Sequence, residues 1–275
     1  MTTPPAAGSY LGVAPGVDLY YEVHGEGPPL VLLSGWTFST EVFEHQISHF
    51  SRTHQVIAID QRSHGRSTMA GSGNDYGTLG ADLLALLEAL DLRDVVVVGW
   101  SFGCLTTWSA VRQGALPRIR AVVSIDLSPK PLSTVDTDWV EGTLDDIAGA
   151  YNAYLSSPEG HRDFVAGYAT ELMIQRDLEP SELQWLIDQS TRTPTPIAAQ
   201  LFASGMFSDY REEAALLDRS VPTLFVVAEH WAPTARAFLA EHCPSASIEV
   251  LGGHLMLWEH AERFNTVLEG FLATS

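Results

Sequence analysis

Val95-Val96-Val97-Val98-Gly99-Trp100-Ser101-Phe102-Gly103 is the stretch on which the fold turns. Four β-branched residues in a row read as a strand buried on both faces. The run ends in G-x-S-x-G and passes without a gap into a helical pattern over residues 101–112. A serine on so tight a strand-to-helix turn is held strained, and the flanking glycines leave it room. Its hydroxyl is pushed out above the strand ends. The N–H of Phe102, at the helix start, points at whatever bonds there. Ser101 is therefore the candidate nucleophile and Phe102 a candidate oxyanion donor.

Outward from this stretch, short apolar runs recur at residues 17–23, 30–33, 55–59, 121–125, 223–227 and 247–251. Helical patterns lie between them, at 79–90, 234–242 and 261–272. Strand alternating with helix predicts an α/β protein with a mostly parallel, doubly wound sheet and right-handed crossovers. One interval breaks the rhythm. Between Asp126 and Val221 the patterns are helical, at 144–155, 162–175, 181–190 and 195–207, punctuated by Pro158, Pro180, Pro194 and Pro196. We read residues 129–217 as a helical cap inserted into a core formed by 1–128 and 218–275. Residues 1–8 read as a tail.

Composition narrows the function classes. The 275 residues carry 34 acidic and 15 basic side chains, a net charge of −19, which disfavours phosphate backbones and anionic lipid as partners. No stretch approaches the ~20 apolar residues of a membrane span. The first residues, MTTPPAAGSY, lack the features of a signal peptide. Cys104 and Cys243 are too few for a disulfide scaffold and lack zinc spacing. A cytoplasmic protein without nucleic-acid or membrane partners is the expectation, with the oligomeric state open. No H-E-x-x-H pair and no GxGxxG after the first strand occur, so neither a metal nor a dinucleotide cofactor is expected.

Two further residues complete a constellation. His254, in Gly252-Gly253-His254 beyond the last strand, sits where a base reaching back to Ser101 would come from. His64, in Asp60-Gln61-Arg62-Ser63-His64-Gly65-Arg66-Ser67, is its rival and reads as part of a structural loop. The loop Ser34-Gly35-Trp36-Thr37-Phe38 follows an early strand and offers the Trp36 N–H as a second oxyanion donor.

With these landmarks the chain resembles the α/β-hydrolase superfamily over nearly its full length. In common members of that superfamily the acid follows the strand after the cap. Here that region reads Val226-Val227-Ala228-Glu229-His230-Trp231, with a tryptophan where the carboxylate is usual. Asp126, at the end of the strand before the cap, is the better acid, and Glu229 stands two positions early. The relocation makes the chain similar to the cofactor-independent 2,4-dioxygenases of 3-hydroxy-4(1H)-quinolones. Leu33-Ser34-Gly35-Trp36, Ile125-Asp126-Leu127-Ser128-Pro129-Lys130-Pro131 and Gly252-Gly253-His254 carry that likeness. Phe38 replaces a histidine of the family, which puts that residue's substrate contact in doubt.

The narrower resemblance implies a flat aromatic substrate, O2 as co-substrate and no cofactor. His254 would take the 3-hydroxyl proton, Asp126 would steady the imidazolium, and Ser101 would hydrogen-bond the ring. An N-acylanthranilate and carbon monoxide would follow. Trp36, Phe38, Trp100, Phe102 and Trp231 are expected around the substrate, and Trp139, Met173, Trp185, Phe202, Met206 and Phe207 could line a tunnel for an alkyl tail. Two other readings stand beside it. One is a serine hydrolase of an ester or lactone using Ser101, His254 and Asp126. The other is a non-catalytic small-molecule receptor.

Overall fold

The computed structural model describes residues 8–135 and 138–275. The chain runs β1 (Ser9–Ala14), β2 (Val17–His24), β3 (Pro29–Leu33), α1 (Glu44–Phe50), β4 (Gln55–Asp60), α2 (Tyr76–Ala89), β5 (Val95–Trp100), α3 (Gly103–Arg112) and β6 (Ile119–Ile125). Then come α4 (Leu144–Ala150), α5 (Pro158–Tyr168), α6 (Pro180–Thr191), α7 (Thr195–Met206) and α8 (Arg211–Ser220). The chain closes with β7 (Thr223–Val227), α9 (Ala232–His242), β8 (Ser247–Val250), α10 (Met256–Glu259) and α11 (Ala261–Leu272).

The strands form one sheet in the order β1-β2-β4-β3-β5-β6-β7-β8. β1 and β2 pair antiparallel, β2 joins β4 antiparallel, and every other pairing is parallel. Because side chains alternate along a strand, the valine run of β5 feeds two cores. Val95 and Val97 pack with Val31, Leu33, Ile57 and Ile59 beneath α2, α3, α8 and α9. Val96 and Val98 pack with Leu30, Leu32, Val56 and Ala58 beneath α11. This is the doubly wound α/β architecture expected from the sequence. The strand order reverses between β3 and β5, so a crevice opens at their carboxyl ends, where such sheets place ligands. Ser34-Gly35-Trp36 and Trp100-Ser101-Phe102 sit on that crevice.

The structure departs from expectation in places. β1 was not anticipated. It is a solvent-facing edge strand whose mixed residues, SYLGVA, lack a clean apolar period. Two helical patterns in the inserted segment each divide. Residues after α4 continue as a π-helical turn, Tyr151–Leu155, and those after α5 as another, Ala169–Met173. The expected cap boundary at 217/218 falls inside α8, which packs on α3, where Arg112 donates to both carboxylate oxygens of Glu213 at 2.7 and 2.8 Å. Of the tail read at 1–8, all but Gly8 lies outside the described residues. Among the described residues no helix is long and apolar enough to cross a membrane.

Candidate active site

Ser101 has φ 51°, in the left-handed region that a side chain adopts only under constraint. Two glycines make the turn sterically feasible. A Cβ on Gly99 would stand 2.8 Å from the Cys104 nitrogen, and one on Gly103 2.4 Å from the Leu33 carbonyl oxygen. The Ser101 N–H is secured by Ile125 O at 2.8 Å, which ties the elbow to β6.

Asp126, the residue after β6, has the same φ of 51°. The bend turns its carboxylate across the strand ends. Oδ1 accepts from the Ala228 N–H at 2.7 Å, and Oδ2 meets His254 Nδ1 at 2.7 Å. The opposite ring nitrogen, Nε2, lies 3.0 Å from Ser101 Oγ. All three side chains are buried: Ser101 is 8% exposed, His254 3% and Asp126 0%. The serine, histidine and aspartate anticipated from the sequence therefore form one continuous hydrogen-bonded relay. Glu229, the other acid considered, accepts instead from Gln175 Nε2 at 3.2 Å.

The histidine is fixed on every side. Its N–H donates to Leu172 O at 2.9 Å, and its carbonyl accepts from Trp100 Nε1 at 2.7 Å. The ring lies 5.5 Å from Trp100 and 5.3 Å, edge to face, from Tyr168. Gly253 explains how the chain allows this. A Cβ there would stand 2.7 Å from Met173 O, so only glycine lets the carbonyl end of the π-helical turn Ala169–Met173 approach.

Trp36 and Phe102, whose N–H groups are the donors expected from the sequence, line the same cavity. Among the described residues neither the Trp36 N–H nor the Phe102 N–H donates to a protein acceptor. The loop carrying Trp36 is fastened from the cap. Trp36 Nε1 donates to Ala198 O at 2.8 Å, and Thr37 Oγ1 pairs with Ser190 Oγ at 2.5 Å. Ser39 bonds Gln189, and Arg192 bonds Glu41. Gly35 touches the nucleophile directly, since a Cβ there would be 2.8 Å from Ser101 Cβ and 3.3 Å from its Oγ. Gly35→Ala should therefore displace either the Trp36 N–H or the serine. We expect kcat to fall by about 10²-fold with little change in KM, because misplacement of that order costs about that much. Unaltered kcat in the folded variant would show that the close approach is immaterial.

A cavity of about 240 Å³ opens on Ser101, lined by Trp36, Phe102, Phe164, Tyr168, Phe202 and Met206 among others. A smaller one of about 40 Å³ shares Trp36, Ser101, Phe164 and Tyr168 and reaches His254, Phe38, Trp100 and Met173. The expected aromatic surroundings are thus largely present. Trp231 is the exception: it lines neither cavity, lies 5.1 Å from His230 and packs between the two apolar cores. The short helical turn Glu229–Trp231 points it away, and Tyr168 stands at the histidine instead. Of the proposed tunnel residues, Met173, Phe202 and Met206 reach the cavities. Trp139 is buried against Phe225 and Phe238, Trp185 stacks on Trp258, and Phe207 is exposed. Phe164, Tyr168 and Glu141 were not anticipated, because only the folding-back of the cap brings them here.

Glu141 and Asp146 are the acids that line the larger cavity among the described residues, and Glu141 is the less exposed of the two. In Glu141 the burial is uneven. Its Oε1 is sealed and has no hydrogen-bond partner among the described residues, although the residue as a whole is only half-buried. Burial pushes its carboxyl up to about 7; the nearby His254 works against this and Asp126 with it. An acid that ionises near 4.5 when unfolded but near 7 when folded binds the extra proton in the folded state. It therefore removes stability as pH rises from 4.5 to 7. In Glu141→Gln this loss is absent, so the variant should gain on the wild type across that window, by up to about 3 kcal/mol. Urea unfolding at pH 5 and pH 8 measures it, and a difference independent of pH would refute the assignment.

The rival histidine, His64, holds the Arg62 carbonyl through Nδ1 at 2.7 Å, and burial pushes its imidazole down to about 4. Its loop is structural: Arg62 forms two bonds to Asp82 at 2.7 and 2.8 Å, and Ser63 donates to Asn74. Cys104 lies buried inside α3 with its thiol pushed well above the usual range, so it packs rather than reacts. Among the described residues no group of His, Cys, Asp or Glu is arranged to hold a metal ion.

Comparison with known proteins agrees with this fold. A family model described as alpha/beta hydrolase fold matches residues 28–261. A pimeloyl-[acyl-carrier protein] methyl ester esterase of Xylella fastidiosa is 25% identical over 93% of this chain and 99% of its own. A non-heme chloroperoxidase of Streptomyces lividans is 35% identical over 45% of this chain and 46% of its own. Among solved structures, a bromoperoxidase from Bacillus anthracis superimposes with TM-score 0.87 at 22% identity, covering 97% of this chain and all of its own. At that identity the last is a likeness of fold. These relatives carry names of haloperoxidases and an esterase, so they support the superfamily resemblance and leave the narrower one to quinolone dioxygenases without support.

Proposed function

Since the chain belongs to the alpha/beta hydrolase fold family, we propose that it is a serine-dependent hydrolase of carboxylic esters or lactones with an apolar acyl part. One observation carries the proposal: Ser101 Oγ lies 3.0 Å from His254 Nε2, and His254 Nδ1 lies 2.7 Å from Asp126, beside two N–H groups without protein acceptors. In this mechanism His254 takes the hydroxyl proton of Ser101 as the oxygen attacks the carbonyl carbon. Negative charge gathers on the carbonyl oxygen, and the N–H groups of Trp36 and Phe102 hold it. His254 then gives the proton to the departing alkoxide, leaving an acyl group on Ser101. Water, deprotonated by the same imidazole, releases the acid. Asp126 holds the ring in the tautomer that presents an acceptor to the serine.

A second reading, the cofactor-independent quinolone dioxygenase, draws support from one observation. The base is enclosed by aromatic faces, with Trp100 and Tyr168 against His254 and Trp36 and Phe164 across the cavity. Phe38 counts against it. It is buried edge-on to Trp100 at 5.3 Å and offers a substrate no polar group.

A fluorophosphonate probe and a panel of p-nitrophenyl esters test the first reading, beside O2 uptake with 2-alkyl-3-hydroxy-4(1H)-quinolones. We expect covalent labelling at Ser101 and ester turnover. Oxygen consumption without labelling would transfer the assignment to the second reading.

A further inference from the structure

Glu141 has no part in the proposed chemistry, yet its placement is costly. A buried carboxyl oxygen without a donor loses its hydration and gains nothing in return. The backbone holds it there: the Glu141 N–H donates to Pro131 O at 2.8 Å, and Leu132 pairs with Gly142 in a single parallel bridge. The segment is thereby tied to the chain leaving β6, the strand that pairs directly with β5, from which Ser101 projects. The side chain enters a cavity whose other walls are chiefly Trp36, Phe102, Ile147, Phe164, Phe202 and Met206. The second acid on that cavity, Asp146, is already engaged by the N–H and hydroxyl of Thr143 at the start of α4. Among the described residues of the lining there is no lysine, arginine or histidine to neutralise Glu141, and the other polar groups are the hydroxyls of Ser101 and Tyr168.

A largely apolar, aromatic-walled chamber with a sealed carboxyl oxygen that lacks a donor is complementary to a ligand that brings one. We propose that Glu141 is the substrate-recognition residue of this cavity, accepting a hydrogen bond from an N–H or O–H group carried by an otherwise apolar, ring-sized substrate. The donor missing from the protein is the ligand's. Specificity follows from the same asymmetry. A substrate of equal shape without the donor would seal the cavity over an unsatisfied oxygen, whereas the matched one satisfies it. The weakened acidity of the Glu141 carboxyl, pushed up by burial, fits this role, because a neutral carboxyl still accepts at its carbonyl oxygen. The inference rests on this cavity being the substrate site of the proposed hydrolase.

Indole and indene test it. They are near-identical flat bicycles that differ by an N–H against a CH2. Calorimetric titration of the whole protein should find indole bound about tenfold tighter than indene, the low end of what one buried unsatisfied group costs. Glu141→Leu should abolish that preference, and Glu141→Gln, which keeps an acceptor oxygen, should retain most of it. Neither substitution removes a side-chain bond within the protein, so both variants should melt no lower than the wild type. Equal affinity of the wild type for the two ligands, or no binding of indole at millimolar concentration, overturns the inference. A preference that survives in Glu141→Leu overturns it equally. The hydrolase reading fails separately: if esters and the fluorophosphonate leave Ser101 untouched while the indole preference depends on Glu141, recognition stands and the reaction is another.

Discussion

Replacing Ser101 with alanine is expected to lower kcat for ester hydrolysis by about 10⁴- to 10⁶-fold, and His254→Ala to match it. In the proposed mechanism the two residues act as a unit, since the attacking oxygen would be the one that meets the imidazole at 3.0 Å. The double variant should therefore be scarcely worse than either single one. The residual rate would come from the Trp36 and Phe102 donors and from the cavity walls. Substrate affinity should change little, because neither side chain is needed to fill the apolar chamber. The contrast between the two variants is diagnostic. A proton-abstraction mechanism without acyl transfer would leave Ser101→Ala substantially active while His254→Ala lost nearly everything.

Asp126→Asn should cost about 10³- to 10⁴-fold in kcat while leaving the fold intact. The amide is nearly isosteric, and its oxygen can still accept from the Ala228 N–H, which now meets Oδ1 at 2.7 Å. Its NH2 would then face His254 Nδ1. A donor there forces the imidazole proton to Nε2, the nitrogen that must accept from Ser101. The base is thus turned the wrong way without moving. Glu229→Gln is the matched control and should leave kcat unchanged, since Glu229 engages Gln175 and not the imidazole. Equal losses in both variants would show that Asp126 is not the orienting acid.

The contrast between these two acids also shows what was legible in the chain. Asp126 could be found because it terminates a continuous apolar run, and the end of a buried parallel strand in this fold lies on the crevice. Ser101 and His254 were legible for the same reason: each follows a strand end, Ser101 between Gly99 and Gly103 and His254 directly after Gly252 and Gly253, positions where a side chain would collide with its neighbours. Trp231 misled because its position was inferred from the acid it replaces. An indole has no reason to stay where a carboxylate would, and it turns onto the apolar cores. Phe164, Tyr168 and Glu141 carried no signal. Their spacing is that of ordinary amphipathic segments, and what they touch depends on how the inserted helices fold back over the sheet. β1 was hidden by the weakness of an edge strand's pattern, with half its residues facing solvent.

The π-helical turn Ala169–Met173 has a consequence for anyone who would rebuild this protein. Its last carbonyls, at Leu172 and Met173, receive the N–H groups of His254 and Leu255 at 2.9 and 3.0 Å. The inserted helices are thus wired to the backbone of His254 and not merely draped above it. Exchanging them for those of another member to graft a new specificity would remove the acceptors that hold the imidazole's backbone. A chimera would need to import its own Gly-His segment together with its helices, because the two are hydrogen-bonded to each other although some eighty residues of chain separate them.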